Sequence, residues 1–188
     1  EAGDDRLWGQ VGNDTIDGGS GTEYLNGGAG NDTYLIGLGD SPLDAQGRIE
    51  TLEDSEGTNT LVFGAGINID ELSVSLDDSK AYLVIRNKAS GDQIMILGGQ
   101  NGAMQSYRFT SGEILTTAEL INRCADTAIT GGLPGGGLMV AGGKGGDNLT
   151  GSVNNDALFG GDGADVLIGD GGNDTLLGGR GDDALAVA

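Results

Sequence analysis

The 188-residue chain contains no histidine, one cysteine, two prolines and only 4% aromatic residues. Without histidine there is no Ser-His-Asp triad, no Cys-His pair and no His-based zinc site. No GxSxG elbow and no P-loop occur either. The lone Cys124 rules out an internal disulfide and is expected to be a small core residue. No apolar stretch approaches the ~20 residues that span a bilayer. No signal peptide is visible, because a repeat is already running at the first residues, and the chain is expected to be a fragment of a larger protein. Basic residues are scarce: Lys+Arg number 9 against 29 Asp+Glu, a net charge of −20. That balance disfavours nucleic acid and anionic membrane as partners, since both are polyanions. It also leaves too few cations to clamp a phosphate. The chain is therefore not expected to be an enzyme.

Glycine, by contrast, is abundant and unevenly placed. Of 39 glycines, 11 lie in residues 1–40 and 19 in 131–188, which leaves nine for the stretch between. These shifts divide the chain into 1–40, 41–130 and 131–188. In both outer blocks acids recur at every ninth position. The second block carries Asp147, Asp156, Asp165, Asp174 and Asp183; the first carries Asp5, Asp14 and Asp32, with Glu23 in phase between them. Two positions after each acid stands one apolar residue: Leu7, Ile16, Leu25 and Tyr34, then Leu149, Leu158, Leu167, Leu176 and Leu185. The unit reads GGxGxDxUx, with U apolar, and is cleanest at 27–35, 160–168 and 178–186.

Each part of the unit has a physical use. Glycines permit turns that aim several carbonyl oxygens to one side. The sixth-position carboxylate adds a charged oxygen. Ca²⁺ is a hard cation that takes roughly 6–8 oxygen ligands in flexible geometry. The end of the unit forms a short strand that turns only U inward. One apolar residue in nine cannot fold alone, so repeats must stack. Without metal, self-repulsion and few large apolar residues keep such blocks disordered.

This pattern resembles the RTX (repeats-in-toxin, haemolysin-type) calcium-binding nonapeptide, over roughly residues 1–40 and 131–188. The resemblance implies an all-β fold of right-handed parallel β-roll blocks, flanking a β-rich capping module. It implies two nonapeptides per turn and Ca²⁺ held between a loop and the next but one. Each ion takes an Asp from both loops, carbonyls from positions 2 and 4 of the first, and carbonyls from positions 1 and 3 of the second. Carried onto this chain, Asp14 pairs with Asp32, joined by carbonyls of Gly12, Gly27 and Ala29. Asp147 pairs with Asp165, joined by Gly143, Gly145, Gly160 and Asp162. Asp156 pairs with Asp174, joined by Ser152, Asn154, Gly169 and Gly171. Asp165 pairs again with Asp183, joined by Gly161, Gly163, Gly178 and Arg180. Asp5 would pair with Glu23, whose side chain is one methylene too long. Asn154 at position 4 is expected to strain its turn.

The middle segment reads as strands at 60–63, 72–76, 81–86 and 93–97, the last two forming a hairpin. A second hairpin is expected around Ser111-Gly112. A short helix opens at the capping-box sequence Thr116-Thr117-Ala118-Glu119 and runs to about Arg123. This segment more loosely resembles stretches that cap or continue RTX rolls. The expected function is calcium-dependent folding of a secreted bacterial protein, exported unfolded by a type I secretion apparatus. The alternative is an adhesin whose middle module binds a receptor or glycan on a β-roll scaffold.

Overall fold

The computed structural model describes residues 3–41, 48–99 and 103–187. It divides into two compact units, residues 1–73 with 77–117, and residues 74–76 with 118–188.

In the first unit the opening strands are β1 (Arg6–Val11), β2 (Thr15–Asp17), β3 (Tyr24–Ala29) and β4 (Thr33–Ile36). They pair in parallel at an offset of two nonapeptides, Leu7 beside Leu25 and Ile16 beside Tyr34. Alternation turns the apolar residue of each repeat inward, so these pairs begin two buried columns. The columns run on without a break into the middle segment. β5 (Glu50–Leu52) and β6 (Thr60–Phe63) add in parallel, placing Leu52 beside Leu25 and Leu61 beside Tyr34. The partners in these pairs are separated by three nonapeptide lengths instead of two.

β7 (Leu72–Leu76) and β8 (Tyr82–Asn87) follow, and β9 (Gln93–Leu97) then extends one column, Ile96 beside Leu52. β10 (Ser106–Arg108) extends the other, Tyr107 beside Leu61. Two antiparallel hairpins close the columns: β9 with β8, and β10 with β11 (Ile114–Leu115). Leu25, Tyr34, Leu52, Leu61, Leu83, Ile96 and Tyr107 are fully buried along them. Phe63 and Phe109 stack at 4.8 Å between ring centroids.

The second unit carries α1 (Thr117–Cys124), which buries Leu120, Ile121 and Cys124. Cys124 is thus a core residue, as its sequence setting implied. β12 (Ile129–Gly132) runs antiparallel to β13 (Leu138–Lys144). Beyond it come β14 (Asn148–Thr150), β15 (Ala157–Asp162), β16 (Val166–Ile168), β17 (Thr175–Arg180) and β18 (Ala184–Ala186). β13, β15 and β17 form one parallel series; β14, β16 and β18 form another. Every step in both series is two nonapeptides long. Leu158 and Leu167 are fully buried, whereas Leu185 on the last strand is half exposed.

The described residues are therefore mostly strand, as expected for an all-β chain, with one short α-helix beginning at Thr117 and a 3-10 turn at Ile69–Glu71. The sheets mix parallel and antiparallel pairs and none closes on itself. Strands fall at 60–63, 72–76 and 93–97 as the patterning implies, and both hairpins form. No helix among the described residues is long and apolar enough to cross a membrane.

Candidate metal sites

The in-phase acids are held in a repeated way. The backbone N–H of one acid donates to Oδ1 of the aspartate two nonapeptides on. This bond joins Asp14 to Asp32 at 2.8 Å, Asp147 to Asp165 at 2.8 Å, Asp156 to Asp174 at 2.9 Å and Asp165 to Asp183 at 3.0 Å. These are four of the five pairs that the RTX resemblance implies. Asp5 and Glu23 make no such bond: Asp4 takes the Thr22 amide and hydroxyl instead. Both oxygens of Glu23 are buried and without a partner.

The second carboxylate oxygen of each pair points at glycine. A β-carbon added at Gly160 would lie 2.3 Å from Asp165 Oδ2 and 2.3 Å from the Gly178 carbonyl. At Gly142 it would meet Asp147 Oδ2 at 2.4 Å and the Gly160 carbonyl at 2.8 Å; at Gly151, Asp156 Oδ2 at 2.5 Å and the Gly169 carbonyl at 2.4 Å. At Gly9 it would meet Asp14 Oδ2 at 2.5 Å and the Gly27 carbonyl at 2.6 Å. Four times, then, a carboxylate oxygen and a first-position carbonyl of the next turn converge on one small space. Both are acceptors. Asp14, Asp147 and Asp165 each leave Oδ2 buried with no hydrogen-bond partner, and Asp32 and Asp174 do the same. Buried charge without a partner is costly, and a cation is the chemistry that removes the cost. The donor set is all oxygen, which suits a hard divalent ion.

Asp156 is the exception. Burial works against its charged form, yet the Ser152 and Leu138 amides and the Ser152 hydroxyl hold its carboxyl below the ordinary range. The Ser152 hydroxyl thus supplies a hydrogen bond that glycine could not.

The remaining loop residues line the same turns. The carbonyls of Gly12, Gly143, Gly145, Gly161 and Gly163 face glycines of the next turn, close enough to forbid a β-carbon there. The Asn154 carbonyl faces Gly172 likewise, and Gly171 packs against Val153. Ala29 and Asp162 pair in strand register with Val11 and Arg180. The strain expected at Asn154 is absent, since its φ is not positive; its side chain instead donates to the Gly136 carbonyl at 3.1 Å. The strained non-glycine residues lie at position 2, Gln10 with φ 77° and Asp170 with φ 65°.

Some residues in these turns escape the Gly-Asp signature. Asn at position 5 forms its own ladder: the Asn31 amide donates to Asn13 Oδ1, and the Asn173 amide to Asn155 Oδ1, both at 2.8 Å. The ninefold phase also continues past residue 40. Ser41, Glu50 and Asn59 stand at position 6, and Leu52 and Leu61 at U. Residues 54–62 thus form an imperfect nonapeptide with Asp54 at position 1. Asn59 Oδ1 accepts from the Asp32 amide at 2.9 Å, the bond an aspartate makes elsewhere. Counting nines, rather than searching for Asp and Gly, finds these residues.

Glu50 lies one strand beyond Glu23. Burial, and then the Glu23 charge, push its carboxyl up to about 8. Burial, and then Asp5, Asp4 and Asp40, push Glu23 up to about 7.

No curated protein matches the chain at a significant level. The family model for the RTX calcium-binding nonapeptide repeat matches in four copies, over residues 1–34, 140–167 and 150–185. Those ranges contain the four aspartate pairs, and repeats of this family bind calcium ions. Over these residues the chain carries RTX calcium-binding nonapeptide repeats.

Proposed function

We propose that the chain is a calcium-folded region of a secreted protein, its repeats winding as right-handed parallel β-rolls. The observation that carries this reading is the fourfold convergence of a carboxylate oxygen with a carbonyl oxygen. In it, Asp14 with Asp32, Asp147 with Asp165, Asp156 with Asp174, and Asp165 with Asp183 each hold one ion, completed by the loop carbonyls. Bound calcium supplies the positive charge that the turns lack. The protein's part is to fix the carbonyls by positive-φ glycines and to orient Asp32, Asp156, Asp165, Asp174 and Asp183 through Oδ1 hydrogen bonds. Because the unfolded chain has no preformed site, binding free energy becomes folding free energy. That coupling suits a chain kept unfolded in a calcium-poor cytosol, passed through a type I secretion apparatus, and folded outside. The outer blocks, 1–40 and 131–188, carry the metal, and the segment 41–130 continues and caps the first stack.

The test is circular dichroism during a calcium titration of chelated protein. β-Structure is expected to appear cooperatively at millimolar calcium. Magnesium is expected to substitute poorly, because it demands near-octahedral geometry and dehydrates reluctantly. A full native signal in chelator overturns the reading.

A second reading, an adhesin surface on the first unit, is favoured by one feature. Trp8 is 55% exposed and tilts against Tyr24 at 5.8 Å between ring centroids. Beside them Glu53 accepts from the Tyr24 and Tyr82 hydroxyls, both at 2.9 Å. An exposed aromatic next to a fixed carboxylate suits a sugar ring. Glycan-array binding that is lost in Trp8→Ala supports this reading; no binding to any glycan sinks it.

A further inference from the structure

We propose that Asp32 and Asp54 hold a further calcium ion, where the first repeat series meets the imperfect nonapeptide 54–62. The inference rests on the reading that nonapeptide carboxylates ligate calcium. Asp32 is 1% exposed and Asp54 5%. Oδ1 of Asp32 already accepts from the Asp14 amide, while its Oδ2 is buried without a partner. At the other turns this oxygen faces a first-position carbonyl. Around Gly27 the Tyr34 hydroxyl stands in that place: a β-carbon there would lie 2.2 Å from Asp32 Oδ2 and 2.6 Å from the hydroxyl. Tyr34 has one proton to give, and it goes to Asp54 Oδ2 at 2.5 Å, while the hydroxyl oxygen accepts from the Gly27 amide at 2.6 Å. Asp32 Oδ2 therefore faces a second buried carboxylate with no donor of its own.

In this loop the charge has moved rather than vanished. Asn59 occupies the acid position and makes the structural hydrogen bond to the Asp32 amide, but it brings no charge. Asp54 occupies position 1, where the regular repeats carry glycine, and supplies that charge. Its Oδ1 is steadied by the Glu56 amide at 3.2 Å. Asp32 with Asp54 thus offers two carboxylates, as each regular pair does, and charge count is a main determinant of calcium affinity. A cavity of about 430 Å³ lined by Asn26, Gly28, Glu53, Asp54 and Ser55 reaches Asp54.

The test is the number of calcium ions bound per chain after equilibrium dialysis, measured by elemental analysis of the full chain and of Asp54→Ala. One ion fewer in the variant, with the others retained, is the expected result. Crystals of the unaltered protein grown in calcium provide a second measurement, independent of whether the variant folds: a peak between Asp32 Oδ2 and Asp54 is expected. An unchanged count, or no peak there while the regular pairs are filled, overturns this site alone. A chain that binds no calcium at all overturns the underlying reading with it.

Discussion

The backbone amide of Asp147 donates to Oδ1 of Asp165 at 2.8 Å, and Oδ2 of the same Asp165 lies with the Gly178 carbonyl around the space beside Gly160. One carboxylate therefore faces the turn before it with one oxygen and the turn after it with the other. Asp183 has no later partner among the described residues, and Asp147 takes no amide from an earlier turn.

Asp165→Ala is expected to raise the calcium midpoint of folding more than Asp147→Ala or Asp183→Ala. It removes a ligand from two adjacent sites, and a stack coupled only to its neighbours separates at that point. Calcium titrations of the three variants by circular dichroism check this. An Asp183→Ala midpoint as high as that of Asp165→Ala refutes the pairing of each loop with the next but one.

Gly160→Ala is expected to abolish calcium binding at the pairs flanking it. Backbone strain is not the reason, because φ at Gly160 is not positive; the new methyl simply fills the space beside Asp165 Oδ2. Gly132→Ala is the control, since a β-carbon there meets nothing within 4 Å. Loss of binding in both, or in neither, contradicts the account.

Acid is expected to replace part of the calcium requirement of the first unit. Glu23 and Glu50 rise from an ordinary value of 4.5 to about 7 and about 8. Their folded forms hold protons that the unfolded chain releases above 4.5. Stability from protonation is thus fully present below that pH and is lost as pH rises through about 7 to 8. In chelator, the β-signal is expected to be stronger at pH 5 than at pH 8, and Glu50→Gln is expected to flatten the difference. A signal independent of pH, or stronger at pH 8, refutes this.

Leu167→Ala, in saturating calcium, is expected to cost about 2–5 kcal/mol, the usual range for a buried leucine truncated to alanine. Leu167 is fully buried, with strand neighbours on both sides. Denaturant unfolding measures the loss. The same change at half-exposed Leu185 is expected to cost much less.

Much of this arrangement was legible in the sequence, because the ninefold phase, taken with the two nonapeptides per turn that the RTX resemblance implies, indicates which carboxylates meet. The Asp14–Asp32 and Asp147–Asp165 contacts follow from the ninefold phase and two short strands per turn. The hairpin of β8 and β9 follows from alternation around a short loop. What composition hid was the continuity of the first stack into β5 and β6. There the acid position holds Glu50 and Asn59, and position 1 holds Asp54, so the Gly-Asp signal fades while the apolar Leu52 and Leu61 keep their phase. The parallel pairing of β9 with β5 was beyond local reading, since Ile96 meets Leu52 across a long stretch of chain in which the repeat phase stops after residue 62. The position of strain was also misread, because glycine at position 4 in the regular units does not forbid an asparagine that takes another backbone conformation.

The three-nonapeptide step between β3 and β5, repeated between β4 and β6, departs from a rule of parity that the two-nonapeptide steps obey. A strand's sheet is decided by whether an odd or even number of nonapeptides precedes it. Residues 36–44 add one to that number, which by itself would send every later strand to the opposite sheet. Both columns nevertheless stay in line, Leu25 with Leu52 and Tyr34 with Leu61. The third nonapeptide in each step therefore lengthens the chain without moving β5 or β6 to the opposite sheet.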